Sequence, residues 1–141
     1  MTQTETGKKL TAMKDELREE GRAVRRMLVG DAYADKLDRE VYQNRHMAKF
    51  GDITQEILFA QMWTRPGLDI KTRSMITVIS DVTSGATAAL GLHVRFCRIH
   101  GWTEDEIVES IIHCLGYVGV PLVRQAVLVA AKVFDEMNAE A

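Results

Sequence analysis

Thr103-Glu-Asp-Glu-Ile-Val-Glu-Ser-Ile-Ile-His-Cys-Leu115 is the stretch that sets the fold class. Ile107, Ile111, Ile112 and Leu115 return at the 3.6-residue spacing of one helix face, not at the two-residue spacing of a strand. Ahead of them, Thr103 and Glu106 form a T-x-x-E capping box. The Thr103 hydroxyl and the Glu106 carboxylate each satisfy a backbone N–H that a helix start would otherwise leave without a partner. Upstream, Gly101 suits the left-handed position that closes a helix, here one running over Ala86–His100. Downstream, Gly116 ends the periodic run. Gly119-Val120-Pro121 then resets the chain, with Pro121 suited to a first helical position.

The same periodicity extends to both ends. Met75, Ile76, Val78, Ile79 and Val82 give a largely apolar helix capped by Asp69, whose carboxylate can accept from Lys71 or Thr72, and broken at Ser84-Gly85. Ile53, Ile57, Phe59, Ala60 and Met62 fit a short apolar-faced helix over Gly51–Trp63. It must stop near Arg65, because Pro66 disfavours helical geometry in the residue before it. Thr64–Leu68 is then a loop. Thr11–Leu28 reads as a sparse, solvated helix ended by Gly30-Asp31, and Ala32–Lys49 as a short helix followed by a linker carrying His46. The whole chain is therefore expected to be all-α. The last helix is apolar on nearly every face from Ala126 to Phe134, more than its own bundle can cover, which implies contact with another subunit.

At 141 residues, with 46% hydrophobic and 27% charged, the chain is expected to form a single domain over 1–141, with 1–20 a helical or partly flexible N-terminal arm. A net charge of -2 from 18 basic and 20 acidic residues supplies no basic field, so nucleic acid is not an expected partner. No segment has the apolar length of a membrane span, and the polar N-terminus lacks the pattern of a conventional signal peptide. Cys97 and Cys114 lie far apart in no CxxC or Cys/His ladder, so neither a metal site nor a disulfide framework is expected, and a cytoplasmic location fits.

Two places carry candidate chemistry. The first is Trp63-Thr-Arg-Pro-Gly-Leu-Asp-Ile-Lys-Thr-Arg-Ser74. A turn bearing Arg65, followed by a helix start with Arg73 and Ser74, can present guanidinium groups and amides to a carboxylate. Equally, it reads as a surface turn whose arginines pair with neighbouring acids. The second is His93, among small residues that leave room beside the ring. It reads as a proton carrier near neutral pH or as a core histidine bonded to a backbone carbonyl. His113 stands four residues before Tyr117 and shares a face with it only if the helix continues past Gly116. His46 and His100 read as solvated.

Gly21, Val24-Arg25-Arg26 and Gly30-Asp31, then Met62-Trp-Thr-Arg-Pro-Gly-Leu-Asp69 with Thr72-Arg-Ser74, Leu92-His-Val-Arg95, Gly101, Thr103, Glu106-Ile107 and Tyr117 with Gly119-Val-Pro121, strongly resemble the carboxymuconolactone decarboxylase family. The likeness runs from about Gly21 to Phe134. It implies a multi-helix subunit of the alkylhydroperoxidase-like type, assembled as a homo-oligomer (trimer or hexamer) with active sites near subunit interfaces. It also implies cofactor-free decarboxylation, as in aromatic catabolism, of a small carboxylated lactone of the γ-carboxymuconolactone kind or of a related unsaturated or β-keto acid. On that template His93 is the proton-transfer residue, Arg65 and Arg73 hold the carboxylate or lactone oxygen, and Glu56 orients the site. Trp63, Ser74, His113 and Tyr117 complete the expected substrate contacts. Taken alone, Glu56 reads as a solvated helix residue.

Two departures bear on the chemistry. Family decarboxylases carry an acidic residue four positions before the histidine, where this chain has Ala89, so the histidine is expected to lack an acid/base partner. The Tyr-Ala-Trp-Gly ahead of the WTRPG loop is replaced by Ile57-Leu-Phe-Ala60, which makes the pocket more apolar. The alkylhydroperoxidase branch places a CxxC where this chain has Ala86 and Ala89, so disulfide-based peroxide reduction is not expected. Cyclisation, isomerisation or another proton-transfer step in biosynthesis is the alternative enzymatic reading. A non-catalytic oligomeric ligand-binding protein is the third.

Overall fold

The computed structural model describes residues 4–141, and every regular element among them is helical. Two compact units follow one another along the chain, Met1–Gly67 and Leu68–Ala141.

The first unit holds α1 (Glu5–Val29), α2 (Asp31–Glu40), α3 (Arg45–Ile53) and a π-helical segment, Thr54–Met62. Helix α1 begins earlier than its sparse apolar residues indicate because Thr4 caps it, accepting from the Gly7 N–H. Ala32–Lys49 holds no long linker. Asn44 accepts from the N–H groups of His46 and Met47, which starts α3 at once. Helix α1 packs on the π segment at Gly21, where an added Cβ would lie 1.9 Å from the Gln55 carbonyl oxygen. Only glycine permits that approach. The expected apolar inner face over Gly51–Trp63 is reversed. Ile53, Ile57, Leu58 and Met62 are exposed, whereas Gln55 and Glu56 are buried. Winding with i→i+5 bonds, as from Trp63 N–H to Leu58 O, shifts the faces away from the 3.6-residue period on which the expectation rested.

The second unit holds α4 (Ile70–Ser84), α5 (Thr87–Ile99), α6 (Glu104–His113), the single turn α7 (Leu115–Val118) and α8 (Val120–Glu140). Asp69 caps α4 by accepting from Thr72 N–H, and Gly85 closes it in the left-handed region at φ 71°. Both halves of the Thr103/Glu106 capping box are made. Val78, Val82, Leu90, Val94, Ile107, Ile111, Ala130 and Phe134 form one core shared by α4, α5, α6 and α8. Each large aliphatic side chain among them contributes about 1.5–3 kcal/mol by leaving water. Leu128 and Val120 of α8 are more than half exposed, so part of its apolar surface is uncovered within the chain.

Candidate functional site

Helices α4 and α5 run side by side because their apolar faces share the core, and this brings Asp81, in the last turn of α4, against His93 in the middle of α5. The Asp81 carboxylate Oδ2 is in hydrogen-bond contact with His93 Nδ1. The carboxylate side chain is 11% exposed and the imidazole 20%. The ring also meets Phe96 in a T-shaped arrangement, with centroids 5.1 Å apart and planes at 68°. A carboxylate on Nδ1 makes that nitrogen the N–H donor, which leaves Nε2 to exchange a proton. Among the described residues Nε2 makes no hydrogen bond. The core-histidine alternative, a bond to a backbone carbonyl, is not what the structure has, and the acid partner expected to be missing with Ala89 is present. That partner comes from twelve residues upstream, on another helix.

The remaining candidates are dispersed. Arg73 donates from Nε to the Leu68 carbonyl at 3.2 Å, a bond that fastens the loop to the start of α4. Eight residues of helix separate it from Asp81, roughly 12 Å along the axis. Ser74 is fully buried, donates to the Lys71 carbonyl at 2.6 Å and hydrogen-bonds the Cys97 thiol. Its hydroxyl therefore belongs to the core and is not displayed to solvent. Arg65 is exposed in the turn after the π segment, and Trp63 is buried in the same unit.

Glu56 is buried, contrary to a solvated reading, and accepts from Arg18 Nε at 2.5 Å within the first unit. This hydrogen bond is the main cause of a raised Arg18 pKa. His100, expected to be solvated, is half-buried and holds its Nε2 out of solvent without a partner.

His113 and Tyr117 do meet despite Gly116, because α7 continues the turn. Their ring centroids lie 5.6 Å apart. His113 lines a cavity of about 550 Å³ together with Met75, Ile79, Trp102, Ser110 and Cys114. His93 does not line it, so His93 and His113 serve different surroundings.

Both cysteines are free and buried. Cys97 is fully buried, and desolvation pushes its thiol up to about 11, opposed in part by the Ser74 hydrogen bond. Cys114 is buried and donates to the Ser110 carbonyl. No group of three or more His, Cys, Asp or Glu side chains suited to a metal occurs among the described residues. No helix among them is long and apolar enough to cross a membrane.

Residues 48–132 match the carboxymuconolactone decarboxylase family. The chain belongs to that family. The decarboxylase-family match spans both elements of the Asp81–His93 pair. A 4-carboxymuconolactone decarboxylase of Acinetobacter baylyi is 31% identical over 127 residues, covering 89% of this chain and 93% of the relative. A nitrosuccinic acid decarboxylase of Metarhizium robertsii is 32% identical over 119 residues, covering 84% and 82%. An uncharacterised 15.0 kDa protein of Paracoccus denitrificans is 33% identical over 87 residues, 60% of this chain and 65% of that one. Family decarboxylases act on small carboxylated substrates.

Asp81 is the partner of His93 that sequence reasoning missed. A lone acid in an apolar helix, at a position that faces the core, was the available signal, since an aspartate is almost never buried unless it is paired.

Proposed function

We propose that this protein is a cofactor-independent carboxy-lyase acting on a small acid whose departing carboxylate is conjugated to an electron sink. The observation that carries this reading is the half-buried imidazole of His93, bonded at Nδ1 to a buried carboxylate and with Nε2 left for chemistry. Loss of CO2 breaks one C–C bond and sends its electron pair into the sink, a conjugated lactone carbonyl or a nitro group in the acids for which the two named relatives are called. The carbanion equivalent then takes one proton. An imidazolium at His93 delivers that proton from Nε2 and returns to the neutral ring with Nδ1–H still on Asp81, and solvent reprotonates it. Ala89 leaves α5 without the usual acid beside the histidine, so the proposed substrate is a variant of the lactone or a β-keto or nitro acid.

Arg73 is the proposed anchor for an anionic group on the substrate, with Tyr117 and His113 as proposed contacts. We further propose that the uncovered apolar surface of α8, including Leu128 and Val120, is covered by another copy of the chain.

The test is direct. The protein is incubated with nitrosuccinate and, separately, with 4-carboxymuconolactone in D2O, and CO2 release is followed. The expected result is CO2 release with deuterium taken up from solvent, on the carbon that lost CO2 for the nitro acid and on the carbon α to the carbonyl, the far end of the dienolate, for the lactone. No CO2 from either acid, nor from a panel of β-keto and unsaturated acids, would overturn the lyase reading.

A further inference from the structure

We propose that Asp81 is the positioning residue of the His93 site and that it supplies from α4 the carboxylate that the family pattern puts at position 89 of α5. This deepens the decarboxylase reading and rests on it only for the fate of the proton.

Three observations carry the inference. Asp81 is buried, at 8% relative exposure, and among the described residues His93 is the one side chain that hydrogen-bonds or ion-pairs with its carboxylate. A buried carboxylate without a partner costs several kcal/mol, so this contact is what makes the aspartate tenable in the core. Secondly, the nearby backbone bonds at the end of α4 use the Asp81 carbonyl and not its carboxylate: Ala86 N–H and Ser84 Oγ both donate to it. The carboxylate is therefore left to the histidine. Thirdly, position 89 lies one turn before His93 on α5, and side chains of a helix lean toward its N-terminus. An acid at position 89 would reach the same ring from along α5, whereas Ala89 has no group to offer. Among the described residues one carboxylate meets this imidazole, from across the helix pair.

The consequence is chemical. A carboxylate on Nδ1 keeps the proton there in both charge states of the ring, so the proton that moves is always the one on Nε2. Approach across the helix pair ties the ring orientation to α4–α5 packing, and so to the core residues Val78, Val82, Leu90 and Val94.

The deciding experiment is ¹⁵N NMR of the histidine ring nitrogens in the full chain, at a pH where the ring is neutral. Wild type is expected to show His93 as the Nδ1–H tautomer. Asp81→Leu is expected to move it to a mixture or to Nε2–H, and Asp81→Leu/Ala89→Glu to return it to Nδ1–H. Asp81→Asn, which conserves size and is the variant to use if the leucine protein does not fold, is expected to give Nε2–H as its amide donates to Nδ1. In turnover of whichever acid releases CO2, Asp81→Leu should lower kcat at least about tenfold, and by no more than the roughly 10²- to 10⁴-fold that the acid–base group itself supplies. Its KM should change little. An unchanged His93 tautomer in both Asp81 variants overturns the proposal, and failure of Ala89→Glu to restore Nδ1–H overturns the claim of replacement. A tautomer switch in a protein that decarboxylates nothing would leave the positioning role standing and sink the lyase reading alone.

Discussion

Each unit buries one carboxylate against a nitrogen base, and the two partners differ in what they can do. Glu56 in the first unit faces Arg18, whereas Asp81 in the second faces His93. An arginine stays charged at any accessible pH, so the Glu56 pair can hold two elements together but cannot pass a proton. An imidazole gains and loses its proton near neutrality. Burial alone therefore does not mark a site: the titration range of the partner separates the brace from the reactive pair.

The largest expected effect tests that separation. His93→Gln should fold as wild type by circular dichroism and lose about 10²- to 10⁴-fold in kcat for the acid that releases CO2. A wild-type rate in the folded variant would make Asp81–His93 a brace like its counterpart.

The thiols sharpen the comparison by asking whether another group in the second unit reacts. With its thiol pushed from 9.0 to about 11, Cys97 holds about 100-fold less thiolate near neutrality than an ordinary cysteine. Alkylation of Cys97 by iodoacetamide in the native protein should be slower by at least that factor, rising to the free rate in denaturant. Organic peroxide should not be turned over with a thiol reductant. Turnover that disappears in Cys97→Ser would place a second reactive centre beside the histidine.

Packing in the first unit supplies the next test. Gly21→Ala drives a methyl carbon into the Gln55 carbonyl, with 1.9 Å available, and backbone on one side leaves no flexible atom to yield. Destabilisation of about 1–3 kcal/mol or more is expected in urea unfolding. Gly116→Ala is the control: its added Cβ meets nothing within 4 Å, and the change should be neutral or stabilising by up to about 1 kcal/mol.

The two units were not equally legible. In the second, Asp69, Gly85, the Thr103/Glu106 box and Pro121 each mark an element end through local chemistry, and the structure has helix ends at all four. In the first, apolar spacing over Ile53–Met62 pointed the wrong way because the winding there is not 3.6 residues per turn. Asn44 escaped notice as a cap because polar neighbours masked the helix it starts. The histidine was legible as a candidate, but its partner was not. A contact between α4 and α5 depends on helix packing, and no local spacing rule reaches across twelve residues and a turn. For the same reason Ser74 looked available from its neighbours in sequence while its hydroxyl is fully enclosed.

The smallest expected effect compares the helix starts of the two units. Asn44 in the first caps α3 with a neutral amide, at 2.9 and 3.2 Å from the N–H groups of His46 and Met47. Thr103 in the second caps α6 together with a carboxylate, Glu106, that accepts from Thr103 N–H at 2.9 Å. Asn44→Ala and Thr103→Ala should each cost about 0.5–2 kcal/mol at neutral pH. Acid should tell them apart. The Thr103 backbone hydrogen bond holds the Glu106 carboxyl below its ordinary 4.5. A folded-state value below the unfolded one gives stability that is complete above the unfolded value and is lost as pH falls through the folded one. The melting-temperature gap between wild type and Glu106→Gln should therefore be constant near neutrality and close on acidification below about 4.5, whereas the gap for Asn44→Ala should not respond to protonation of its own cap. A Glu106→Gln gap that persists unchanged in acid would show that this carboxylate braces α6 by shape alone, with no contribution from its charge.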